Sequence, residues 1–266
     1  MAQVRSNDGT VIAYDRSGAG PAVVLVGGGL DDGSENAAIA AELARHFTVY
    51  NYARRGRGGS GDTPPYSVAR EIDDIQALIG AAGGSAHVFG ASSGGALALE
   101  AAAAGLAIDR IAVYEVPYMS DAMMATHWST YVDHLTVALA EGRHWDAVEL
   151  FMRLAGSSDD EVAAARNSPF APGLRALAPT LAYDAACLGD GLPPVTRLAR
   201  VMQPALVATG GVPDQHMQGL QPGFFDAAAD TITAALPNAE RRIIEGQSHV
   251  ADPSVFAAVL VEFFTQ

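Results

Sequence analysis

The chain has one cysteine in 266 residues, Cys187, so no internal disulfide can form. A lone thiol of this kind is expected as a small buried hydrophobe. No Cys/His set has zinc-ligand spacing, and no metal or organic cofactor is implied. Basic residues are scarce. Sixteen Lys and Arg stand against thirty Asp and Glu, a net charge of −14. That balance argues against nucleic acid or an anionic membrane surface as a partner and is expected to serve solubility. There is no apolar run of the roughly 18 residues a membrane span needs. The N-terminal stretch Met1–Gly9 lacks the apolar centre of a signal peptide, so a cytoplasmic location is the expectation. Repeats and low-complexity linkers are absent, and nothing sets an oligomeric state. What remains is a chain that is 49% hydrophobic, long enough for one large domain or a domain with an insertion.

Strand and helix signals alternate along it. A hairpin is expected from Gln3–Ser6 and Val11–Tyr14 around Asn7-Asp8-Gly9. The unbroken apolar run Ala22–Val26 reads as a strand buried on both faces of a parallel sheet. Further strands are expected at Phe47–Asn51, Ala86–Phe89, Arg110–Tyr114, Ala205–Thr209 and Glu240–Ile244. Helices are expected between them, near Asn36–Arg45, Val68–Ala81 (with Ser67 as a cap), Ala96–Ala104 and Phe225–Ala235. A last helix opens on Asp252-Pro253. The alternation predicts an α/β fold with a mostly parallel eight-stranded sheet flanked by helices. Between residues 117 and 200 no strand is convincing. That segment reads as a helical lid inserted into a core made of residues 1–116 and 201–266. It would lie over the carboxyl edge of the sheet, where such folds bind ligands. Its Met and aromatic residues predict an apolar pocket, with Leu30, Pro117, Met123, Trp128 and Tyr131 expected to line it.

The segment Gly90-Ala91-Ser92-Ser93-Gly94-Gly95 sits between a β-prone stretch and a run of strong helix formers. A Gly-x-Ser-x-Gly in that context predicts a sharp strand-to-helix turn that presents Ser92 as a nucleophile. The helix behind it would direct its free N–H groups at the site. Alone the motif is weak, as the near-match Gly56–Gly61 shows. That Arg- and Gly-rich loop lacks the Gly-Lys-Ser/Thr ending of a phosphate cradle and is expected to be structural. Serine needs a base, and the base needs an orienting acid. Of seven histidines, His249 alone stands in a loop after the last strand and before the last helix. Two carboxylates suit the acid: Glu115 at the end of the sixth strand and Asp214 after the seventh. Spacing leaves both open. For the oxyanion, the backbone N–H of Ser93 and one from the loop after Val26, Gly29 or its neighbour Leu30, are expected.

The segments Val24–Leu30, Gly90–Gly94, Tyr114-Glu115-Val116-Pro117 and Gly246–His249 resemble α/β hydrolases of the zearalenone-lactonase type and related actinobacterial serine hydrolases. The resemblance runs the length of the chain and fades in the lid. It implies an α/β-hydrolase fold and a triad Ser92–His249–Glu115, since that type carries its acid in a Glu-x-Pro segment. It also implies hydrolysis of an apolar small-molecule ester or lactone without a cofactor. The same triad serves carbon–carbon bond hydrolases, thioesterases and perhydrolases, and a slow-turnover ligand sensor can be built on it. Serine at the turn argues against haloalkane dehalogenases and the usual epoxide hydrolases, which place a carboxylate there.

Overall fold

The computed structural model describes residues 1–266. Its centre is a sheet of eight strands: β1 (Ala2–Arg5), β2 (Val11–Gly18), β3 (Ala22–Val26), β4 (Thr48–Tyr52), β5 (Ala86–Ala91), β6 (Ile108–Tyr114), β7 (Ala205–Gly210) and β8 (Ala239–Ile244). They lie in the order β1-β2-β4-β3-β5-β6-β7-β8. Only β2 runs against its neighbours, and every pair from β4 to β8 is parallel. This is the mostly parallel eight-stranded architecture that the alternation implies.

Parallel strands need crossovers, and here the crossovers are helices that cover both faces. In β3, Val24 and Val26 face the larger core and Val23 and Leu25 the smaller, all fully buried. Helices α1 (Ala37–Leu43) and α11 (Pro253–Phe264) pack together on the smaller side. Helices α2 (Val68–Ala81), α3 (Ser93–Ala103) and α10 (Phe224–Ala235) cover the larger. Asp252 caps α11 by accepting from the amides of Ser254 and Val255. Ser67 occupies the cap position of α2, but its hydroxyl makes no capping bond, and its carbonyl takes the Arg70 amide instead.

Between β6 and β7 the chain is helical: α4 (Ala122–Ala140), α5 (His144–Leu154), α6 (Asp159–Arg166), α7 (Ala171–Leu177), α8 (Leu181–Leu188) and the short α9 (Val195–Leu198). Helices α8 and α9 pack directly on α3, so part of the insertion belongs to the main core. No helix is long and apolar enough to cross a membrane.

Candidate active site

The turn from β5 into α3 is built by what glycine omits. A Cβ at Gly94 would run into the carbonyl oxygens of Val26 and Gly27, and one at Gly90 into the carbonyl of Gly94. With those places empty, Ser92 adopts φ 53° and ψ −130°, held by its amide donating to the Tyr114 carbonyl at 2.9 Å. Three non-glycine residues have positive φ: Leu30, Ser92 and Glu115. All three lie at the carboxyl ends of neighbouring strands. Backbone strain of this kind collects where surrounding structure holds a functional geometry. Gly94→Ala is therefore expected to cost about 3 kcal/mol or more of folding stability. Gly80→Ala, in the last turn of α2 with open space around the added Cβ, is expected to gain up to about 1 kcal/mol. Urea midpoints of the two variants check both.

His249 follows β8 in the loop before α11. Its Nδ1 lies 2.7 Å from Oε2 of Glu115, and Oε1 of that carboxylate accepts from the Gly210 amide at 2.9 Å. Glu115 is buried, and the Phe225 ring stacks on the imidazole with centroids 5.0 Å apart. A carboxylate on Nδ1 fixes the tautomer with Nε2 free to take a proton. Asp214 does not bond the ring. It accepts from Ser248 Oγ at 2.8 Å and from the amides of His216 and Val250, so it braces the loop that carries His249. Burial would raise its carboxyl, but those hydrogen bonds outweigh burial and hold it below the usual carboxylate range.

Ser92, Ser93, His249, Gly28, Gly29 and Leu30 line one cavity of about 890 Å³. The Ser93 amide is the first of α3 and has no partner within the helix. The amides of Gly28, Gly29 and Leu30 donate to no other group of the protein. Twenty-four of the cavity's 38 lining residues are hydrophobic, so its body is apolar. Pro117, Trp128 and Tyr131 are among them, together with Met119, Phe151 and Phe225. Met123 is not. It is 68% exposed, while Met124 faces the cavity, because one residue along a helix turns the side chain by about 100°.

Polar groups of the cavity escaped the sequence reading. Glu35 lines it with its outer side exposed to solvent, and desolvation where it meets the protein, then the charge of Asp31, push its carboxyl up to about 7. Burial likewise raises Asp31. Asp184 of α8 reaches the same wall. It is buried against Arg54 and Arg57, from the loop expected to be structural. Arg54, Arg55 and Arg57 are all at most 2% exposed. Three arginines within four positions of an acidic chain were the one available signal, and their partners Glu71, Asp74 and Asp184 carry none. No group of three His, Cys, Asp or Glu side chains is arranged to hold a metal ion.

A family model described as the alpha/beta hydrolase family matches residues 22–259. The crystal structure of an alpha/beta hydrolase from Sphaerobacter thermophilus DSM 20745 is 46% identical, with a TM-score of 0.87 over 99% of this chain and 100% of that one. The 2-hydroxy-6-oxo-6-phenylhexa-2,4-dienoate hydrolase of Rhodococcus sp. strain RHA1 shares the fold at 19% identity, with a TM-score of 0.68 over 100% and 99% of the two chains. An uncharacterized hydrolase of Bacillus subtilis (strain 168), YraK, is 35% identical over 96 residues; the match spans 35% of the length of each protein.

Proposed function

This chain belongs to the alpha/beta hydrolase family, and on that premise we propose that it cleaves neutral carboxylic esters or lactones of apolar small molecules through an acyl-enzyme on Ser92. The observation that carries the reading is the 2.7 Å contact between His249 Nδ1 and Glu115, beside an apolar cavity that both Ser92 and His249 line.

In the first half-reaction Ser92 Oγ bonds to the substrate carbonyl carbon while its proton passes to His249 Nε2. The oxygen that becomes negative is met by the amides of Ser93 and Gly29. Collapse breaks the bond to the leaving alkoxide, which takes the proton from His249. Water then repeats the sequence on the acyl group, its proton going to His249, and Ser92 Oγ leaves with that proton. Glu115 holds the imidazole and balances its charge when protonated.

Charge in the cavity favours this substrate class over the carbon–carbon reading. The name of the Rhodococcus hydrolase describes a dienoate, a substrate with a carboxylate. Here no Arg or Lys lines the cavity, and the chain contains no lysine. A site in which burial raises the Asp31 carboxyl, and partial desolvation and the charge of Asp31 raise that of Glu35, opposes a substrate carboxylate by the same desolvation and like charge. A lactone of the zearalenone kind, which the resemblance of the four segments implies as one possibility, is one neutral member of the class.

The test compares p-nitrophenyl esters with β-diketones, and an alkanoyl ester with one of equal length ending in a carboxylate. Turnover of esters alone, with kcat/KM at least about tenfold lower for the carboxylate-ended ester, is the expected result. Faster cleavage of a β-diketone overturns the ester reading. Labelling of Ser92 by a fluorophosphonate without turnover of any ester points instead to a ligand sensor.

A further inference from the structure

Asp184 comes from α8 of the insertion, yet every hydrogen bond of its side chain is to the core. Its Oδ1 accepts from Ser93 Oγ at 2.8 Å and from Arg54 Nη1 at 2.6 Å. Arg57 Nη2 lies 2.8 Å from both of its oxygens. Arg54 has a second carboxylate, Glu71, bound through Nε and Nη2. For Arg57, Asp184 is the only carboxylate partner. The other arm of that guanidinium, Nη1, donates to the carbonyl of Gly28.

That last bond matters because a trans peptide is planar, with its carbonyl and its N–H on opposite sides. The carbonyl of Gly28 and the amide of Gly29 belong to one peptide. Holding the carbonyl toward Arg57 turns the Gly29 N–H the other way, and this amide has no partner in the protein. Glycine on both sides of the peptide would otherwise let it flip at little cost. The second amide of the proposed oxyanion site belongs to Ser93, whose side chain the same Asp184 holds. One buried carboxylate thus ties down both donors. Burial alone would raise the Asp184 carboxyl, and the two guanidinium groups keep it below the usual range, so it stays charged.

We propose that Asp184 is a positioning residue. Through Arg57 and Ser93 it holds the Gly29 and Ser93 amides in place for the oxyanion, so that the inserted helices set the catalytic competence of the core as well as the substrate. The inference rests on the serine-hydrolase reading above. It differs from a general stabilising role, because the same loop carries a purely structural counterpart. Arg55 is bound to Asp74 through Nε and Nη2 and to Asp8 through Nη1, all buried, and neither Arg55 nor Asp74 lines the cavity.

Asp184→Asn, Arg57→Lys and Asp74→Asn are compared with the parent by ester kinetics. Inhibition by a trifluoromethyl ketone, whose hemiketal adduct on Ser92 carries an oxyanion, is measured alongside. Asp184→Asn is expected to lower kcat by about 10²- to 10³-fold, the effect of losing an oxyanion donor, with KM within about threefold. Affinity for the ketone falls by a similar factor. Arg57→Lys keeps the charge but loses the fork, and is expected to lose kcat about ten- to a hundredfold. Asp74→Asn is expected to lose stability and keep kcat. A folded Asp184→Asn with parental kcat and ketone affinity overturns the proposal. If that variant does not fold, Arg57→Lys decides on the same readouts. A parent that takes no fluorophosphonate label overturns the serine-hydrolase reading itself, whereas a labelled parent with unchanged variants overturns only the positioning role.

Discussion

Replacing Ser92 by alanine is expected to lower kcat about 10⁵- to 10⁶-fold and to abolish labelling by a fluorophosphonate. The expectation is that large because Ser92 is the one group proposed to form the covalent bond. Ser93 is adjacent but cannot replace it. Its hydroxyl already donates to Asp184, and its backbone begins the helix. What remains in the variant is the rate that binding and the oxyanion amides provide by themselves. The fold should survive, since the positive φ at position 92 costs alanine no more than serine and the Ser92 side chain makes no capping hydrogen bond to α3 that alanine would lose. Thermal unfolding of the variant controls for that. Activity within about a hundredfold of the parent sinks Ser92 as nucleophile.

Glu115→Gln should come second, with kcat down by about 10⁴-fold and KM little changed. Glutamine fills the same space, and its carbonyl oxygen can still accept from Gly210. Its amide then faces Nδ1 of His249 and favours the tautomer with the proton on the wrong nitrogen. Asp214→Asn should lose about tenfold or less, because that carboxylate touches the loop around His249 and not the ring. Its cost should appear in stability, about 1–3 kcal/mol for weakened buried hydrogen bonds. The pH dependence separates the two further. The Asp214 carboxyl is held below its usual range in the folded protein. The stability it contributes is therefore complete above the unfolded carboxylate value, near 4, and is lost as pH falls through the lower folded value. The asparagine variant should flatten that acid limb. The reverse ranking of kcat in the two variants overturns Glu115 as the acid.

The strand-to-helix turn at Ser92 was legible because the physics is local. Gly90, Ser92 and Gly94 lie within five residues, and the strand and helix that flank them have plain composition. His249 was legible from its place after the last strand, since parallel topology brings all such loops to one edge of the sheet. The carboxylate partner of His249 was not, because Glu115 and Asp214 follow adjacent strands and spacing assigns the same edge to both. What separates them is direction. The φ of 47° at Glu115 and the Gly210 amide aim one carboxylate at Nδ1, while Asp214 turns back into its own loop. Met123 was misplaced for a smaller reason of the same kind: the first turn of a helix is hard to phase from composition, and a one-residue error moves a side chain from cavity to solvent.

The sequence by itself determined the alternation of strands and helices, the strand-to-helix turn at Ser92, the loop of His249 and the apolar character of the insertion. Each of these is written in neighbouring residues or in a short period. Tertiary structure alone decided which carboxylate meets His249, which faces of α4 and α8 line the cavity, and that Asp184, 127 residues beyond Arg57, should bind it. Such contacts join positions far apart in the chain, and their energy comes from burial and charge matching that exist only after the sheet has brought them together.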